Sequence, residues 1–248
     1  MKKSLWKGAL NSVGWPFLPC PRCNGNLRML KDTLKSKIPR YARTDHFDPN
    51  TPDRFVMLLE CANTACGEVV SVAGEVWQDQ EVTPENELEW VPTYRPYYMR
   101  PAPPIVEVPK KTPVEVVKEV KLSFELYWVD YSVCASRLRT SLERMMDHFG
   151  VAKTRIQKDT KNPSKPGKRR VLDLSARIDK FAKKVGTIEH SETLHALRTI
   201  GNLGAHSSKV SQAAILDAYQ LYERALEDLF KDRGESTKDI IKRLKAHR

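Results

Sequence analysis

An α+β fold is predicted for this 248-residue chain, with strands gathered in residues 1–90 and helices in residues 114–248. Three observations predict it. Two cysteine pairs sit among short apolar runs with partial alternation. A proline-dense stretch, 91–113, follows as an extended linker. Beyond Pro113 the apolar residues recur at helical spacing.

The cysteine pairs are Cys20-Pro-Arg-Cys23 and Cys61-Ala-Asn-Thr-Ala-Cys66. Turn formers stand beside each, Asn24-Gly25 and Gly67, as knuckles need when backbone amides fold toward thiolates. Four thiolates at this spacing suit a closed, tetrahedral structural Zn2+ held by Cys20, Cys23, Cys61 and Cys66, which makes residues 1–90 a β zinc ribbon. A disulfide framework is the first rival, and a cytoplasmic chain disfavours it. Thiol redox chemistry is the second, and it has no need of a matching second pair. Strands over 54–60 and 68–77 form a hairpin with the second knuckle at its tip. Between the knuckles, Arg28, Lys31, Lys35, Lys37, Arg40, Arg43 and Arg54 mix with Tyr41 and Phe47. Such a surface either grips a nucleic-acid backbone or is simply solvated.

From Val91 onward the prolines forbid regular helix, and the chain becomes a strap along which tyrosines and Met99 pack. Val114, Val117 and Val120 open the helical half. Asp130 or Ser132 caps a helix over 132–149 that Gly150 ends. On it, Arg139 and Glu143 are four apart and pair along one face, and Cys134 is a small buried apolar group. The loop 153–170 is irregular because of its prolines and glycine. It carries Lys153, Arg155, Lys158, Lys161, Lys165, Lys168, Arg169 and Arg170 against Asp159 alone. It is either a solvated run or a contact for a polyanion, with Lys165, Lys168, Arg169 and Arg170 as the candidate contacts. Helices over 172–185, 191–203 and 211–231, with a basic one over 236–246, complete an all-α bundle.

Composition narrows the function. A formal charge of +11 and a pI near 9.4 suit an acidic partner, of which nucleic acid is the commonest. No stretch of eighteen or more apolar residues spans a membrane, and no signal-peptide pattern opens the chain, so a cytoplasmic location is expected. Phosphate-binding and dinucleotide-binding glycine loops are absent, which argues against phosphoryl transfer from ATP and hydride transfer.

The richest stretch for chemistry runs from His195 to His206. On a helix, His195, Arg198, Asn202 and His206 fall within an arc of roughly 80°, opposite Leu194, Leu197 and Ile200. Two imidazoles, a guanidinium and a carboxamide can bind a phosphate and move a proton. The same face also admits a structural role. Gly201 and Gly204 either end the helix or let a neighbour approach, and the polar groups then complete the hydrogen bonds of that crossing.

The segments Leu197-Arg-Thr-Ile-Gly-Asn-Leu-Gly-Ala-His206, Arg139-Thr-Ser-Leu-Glu143 and Arg100-Pro-Ala-Pro-Pro resemble the bacterial domain-of-unknown-function family 4145. The two cysteine knuckles resemble the zinc-ribbon leader of its stand-alone members, so the resemblance covers nearly the whole chain. It implies kinship with the HEPN superfamily of small helical bundles, many of them metal-independent ribonucleases of toxin and antiphage systems. There an arginine and a histidine meet their copies across a homodimer interface. The resemblance makes Arg198 that arginine, His206 that histidine and Asn202 the polar helper; apart from it, the residues themselves offer Arg139 and His195 as nearby phosphate contacts. Seven residues separate Arg198 from His206, where those nucleases have four to six, and Thr199 follows the arginine. Two functions are therefore expected as alternatives. One is a metal-independent endoribonuclease of antiphage defence or RNA turnover, with His206 as general acid or base and Arg198 stabilising the phosphorane. The other is a non-catalytic dimerisation module of a defence or restriction system that binds RNA, DNA or a partner protein.

Overall fold

The computed structural model describes residues 1–7, 10–11, 15–42, 51–82, 86–158, 166–185, 188–205, 209–230 and 243. The strands of the main sheet are β1 (Leu10–Asn11), β2 (Leu27–Met29), β3 (Lys35–Lys37), β4 (Asp53–Cys61), β5 (Val69–Val82) and β6 (Leu88–Arg100). Helices α1 (Val114–Tyr127) and α2 (Tyr131–His148) follow. A hairpin of β7 (Thr154–Gln157) and β8 (Lys168–Val171) leads to α3 (Leu174–Val185), α4 (Ile188–Ala205) and α5 (Gln212–Phe230). The fold is α+β, and no described helix is long and apolar enough to cross a membrane.

The sheet is antiparallel in the order β1-β6-β5-β4-β2, with β3 also paired to β4. Its register follows from alternation. Phe55, Met57, Leu59 and Cys61 of β4 point inward beside Val70, Val72 and Val76 of β5, and all are buried. Gly74 is required where β5 shifts register. A Cβ there would meet the Arg95 carbonyl oxygen at 2.3 Å and the Phe55 ring at 2.8 Å. β4 exceeds the expected 54–60 by one residue at each end, β5 starts one residue inside the expected 68–77 and runs on to Val82, and the second knuckle sits at the turn joining them.

The proline-dense stretch is sheet where it begins. A boundary at residue 91 falls inside β6, which holds Pro92 and Pro96. Proline lacks an N–H and is tolerated on an edge strand, and among the described residues the outer side of β6 is paired only where β1 covers Thr93 and Tyr94. The first residues of the chain lie against the helices instead of the sheet alone. The Tyr127 hydroxyl donates to the Trp6 carbonyl at 2.7 Å, and Gln212 Nε2 donates to the same oxygen at 3.0 Å. The Trp6 ring meets Tyr127 edge-on, so this indole closes the seam between sheet and bundle.

In the bundle α2 is central, with α1 and α4 along its length and α3 and α5 beside it. Asp130 caps it, accepting from Ser132 N at 2.6 Å and Val133 N at 2.9 Å, and Gly150 at φ +65° turns the chain away after it. Cys134 is fully buried, as expected. Its Sγ lies 3.2 Å from the Ser123 carbonyl oxygen and 3.1 Å from the Tyr219 hydroxyl.

Two expectations are corrected. The stretch 153–170 is not irregular throughout, because its ends pair as β7 and β8 with Arg155 opposite Arg170 and Ile156 opposite Arg169. Gly167 permits the approach, since a Cβ there would meet Ile156 Cγ2 at 2.4 Å. Nor does the helix end at either glycine of the His195 stretch, for α4 runs through both to Ala205. The helix expected over 236–246 lies outside the described residues, apart from Arg243.

Candidate metal centre and the polar face of the fourth helix

The first knuckle is a tight turn in which Cys20 N donates to the Gly25 carbonyl at 2.5 Å and Asn24 N to the Cys20 carbonyl at 2.9 Å. Asn24 takes φ 60° to make that turn. Backbone amides then face sulfur: Arg22 N lies 3.5 Å from Cys20 Sγ, and Gly25 N lies 3.4 Å from Cys23 Sγ. In the second knuckle the Asn63 carbonyl accepts from both Cys66 N and Gly67 N, with Gly67 at φ +59°. The Gly25 amide holds the Cys23 thiol down at about 7, whereas burial pushes Cys61 up to about 12.

All four Sγ atoms lie within 4.8 Å of one another, with Cys23 and Cys61 at 3.4 Å and Cys20 and Cys66 at 3.9 Å. A tetrahedron with metal–sulfur bonds of about 2.3 Å has sulfur–sulfur edges of about 3.8 Å, so these residues fit a four-thiolate metal ion. The same distances exceed a disulfide bond, which is about 2.05 Å. An ion held there would take all four ligands from protein and keep no position open for substrate.

On α4 the expected two-sided helix is present. Leu194 and Leu197 are buried, while His195, Arg198 and Asn202 are half-buried on the other side. The His195 ring is taken up by α3, with Nε2 2.9 Å from Asp179 Oδ1. Arg198 Nε is buried and has no hydrogen-bond partner among the described residues. His206 lies outside the described residues, so the Arg198–His206 pairing has no geometry to report. Gly201 and Gly204 face α2. A Cβ on Gly201 would strike Arg139 Cβ at 2.4 Å, and one on Gly204 would strike the Ser132 carbonyl oxygen at 2.2 Å. Arg139 therefore lies over Gly201, reaches Glu143 at 3.4 Å as the i,i+4 spacing predicts, and also keeps a buried Nε without a partner.

Of the loop cations, Lys168, Arg169 and Arg170 form β8 and are exposed, with Arg169 Nε donating to Thr154 Oγ1 at 3.0 Å. Lys165 lies outside the described residues. In the sheet half, Arg28 is paired with Glu60 at 2.7 Å, and Lys31 flanks a groove of about 550 Å³ that also holds Trp15 and Phe17. Arg43 and Phe47 lie outside the described residues.

Sequence reasoning missed a cleft of about 270 Å³ at the root of the hairpin, lined by Arg139, Arg144, Lys153 and Arg177 together with Glu143, Asp147 and Asp173. Arg177 is buried on the apolar face of α3 beside Leu174, Ile178 and Phe181. A charged residue at that i,i+3,i+4 position was the available signal. Desolvation alone would raise the Asp147 carboxyl, but hydrogen bonds from Lys153 and Arg177 hold it below the usual range.

A family model described as a domain of unknown function (DUF8608) matches residues 9–102, the sheet half. No curated protein and no solved structure matches the chain. The model described as Domain of unknown function (DUF4145) matches residues 123–247, which is half of the chain, and the protein belongs to that family.

Proposed function

We propose that the protein binds nucleic acid through its helical half, with a zinc-closed ribbon as a structural unit, and that the outer face of α4 cleaves RNA without a catalytic metal. The observation that carries this reading is the gathering of cations around one corner of the bundle. Arg139, Arg144, Lys153 and Arg177 line one cleft against three carboxylates, and exposed Lys168, Arg169 and Arg170 stand on the hairpin rising from it. Such a surface raises the local concentration of a polyanion. Kinship with HEPN bundles, a homodimer that brings two α4 helices together, and a role in defence are parts of the same proposal. Zinc is the metal assigned to the four cysteines, because thiolate-only tetrahedral sites at these spacings favour it.

In the catalytic form, Arg198 stabilises charge on the phosphorane while His206 takes the proton from a ribose 2′-hydroxyl or gives one to the leaving oxygen. The part-exposed position of Arg198 on the outer face of α4 supports the first role. A second reading, a non-catalytic module of the same architecture, is favoured by the close crossing at Gly201 and Gly204 and by the engagement of His195 with Asp179.

Labelled RNA separates the two. Wild type, Arg198→Ala and His206→Ala are incubated with magnesium-free buffer and a weak chelator, and metal analysis confirms that the ribbon keeps its zinc. Cleavage by wild type that both variants lose, with their folding intact, supports the enzyme. Binding without cleavage leaves the module, and absence of both activities refutes the proposal.

A further inference from the structure

We propose that the β7–β8 hairpin is a ribbon that docks in the major groove of double-stranded DNA. The proposal rests on the nucleic-acid reading above and names the partner of a surface separate from α4. Its basis is register. Side chains alternate along a strand, so Arg155 and Arg170, which stand opposite one another, share a face with Gln157 and Lys168. All four are exposed. Like charges directly opposed across an antiparallel pair weaken the pairing they belong to, and a polyanion laid on that face relieves the repulsion.

The apolar side chains of the other face are also left open to solvent. Ile156 is 74% exposed and Val171 84% exposed. Among the described residues both faces of the ribbon are thus open, while its root is fixed. Lys153 Nζ lies 3.0 Å from Asp147, and Leu172 N donates to the Lys153 carbonyl at 2.8 Å.

Two arguments select duplex DNA among nucleic acids. The sequence 153–170 contains no aromatic residue, so it lacks the stacking platforms on which single strands are held. A two-stranded ribbon also fits the B-form major groove, about 12 Å wide. The A-form RNA major groove is too deep and narrow to admit it.

The test is fluorescence anisotropy with the full-length, zinc-loaded protein. The probes are a labelled DNA duplex of about two helical turns, its separate strands, and an RNA duplex of the same sequence. Salt is varied between about 50 and 200 mM. The DNA duplex is expected to bind at least about tenfold more tightly than the other probes. The double variant Arg155→Gln with Arg170→Gln is expected to weaken duplex binding by about tenfold or more and to lower the log–log salt slope by about 0.9 for each phosphate that is no longer neutralised. Its melting temperature should stay level or rise, because the repulsive pair is gone, which separates weakened docking from impaired folding. Equal affinity for the strands or the RNA duplex, or unchanged affinity and slope in the double variant, overturns the proposal. Binding confined to RNA would remove this assignment and leave the nucleic-acid reading standing, whereas no binding to any probe would remove both.

Discussion

Arg177 of α3 donates to Asp147 of α2 at 2.7 Å, and the same arginine donates to the Val151 carbonyl at 3.1 Å. The guanidinium is almost wholly buried, so this pair decides whether the hairpin and α3 stay seated on α2. Replacing Asp147 with Ala leaves a buried cation unpaired. Loss of about 2–4 kcal/mol is expected, toward the lower part of the range for buried pairs because Asp147 itself is partly exposed. Urea unfolding of Asp147→Ala against wild type measures it.

The same carboxylate predicts a pH dependence. Its pKa is lower in the folded chain than in the unfolded one, so its contribution is present above the unfolded value of about 3.9 and is lost as pH falls through the folded value. Wild type should therefore lose stability below about pH 4 more steeply than Asp147→Asn, in parallel denaturation series.

Glycine-to-alanine changes on α4 test the packing role of that helix. In an exposed helix interior, alanine stabilises by about 1 kcal/mol. Here the new methyl group would meet Arg139 Cβ or the Ser132 carbonyl, so both Gly201→Ala and Gly204→Ala should destabilise by about 1–3 kcal/mol. Gly204→Ala should be the worse, because a backbone oxygen yields less readily than a side chain. Thermal melts that show either variant unchanged or stabilised would remove the close crossing.

For the thiols, about one zinc per chain is expected by metal analysis. Cys61→Ser should lose the metal and melt the sheet half first, seen as loss of strand signal at a temperature where the helical signal persists. Cys134, pushed to about 12 by burial, should react with a thiol reagent only when the bundle unfolds. Removal of the metal should expose four of the five cysteines to fast labelling and leave that one slow.

Much of this was legible in the chain. Alternation located β4 and β5, Asp130 and Gly150 marked the ends of α2, and the cysteine spacing picked out the four thiols that cluster, because each of these signals is local. The strand through Pro92 and Pro96 was harder, since proline reads as linker until the open edge that tolerates it is known. The hairpin was masked by its charge, since Arg155 and Arg170 gain nothing from facing each other within one chain. The Asp147 cluster gathers residues from α2, α3 and the hairpin root, and no periodicity within one segment could bring them together. On α4 the sequence located the polar face, while the partners of that face, Asp179 and Arg139, came from two other helices.

Ultraviolet crosslinking of labelled RNA to the intact protein, followed by peptide mapping, tests the central claim most directly. Crosslinks are predicted on peptides carrying Arg139 to Lys153, Leu172 to Arg177 and His195 to Asn202. A protein that crosslinks nowhere, or only through the cysteine-bearing sheet half, would contradict the assignment of nucleic-acid binding to the helical bundle.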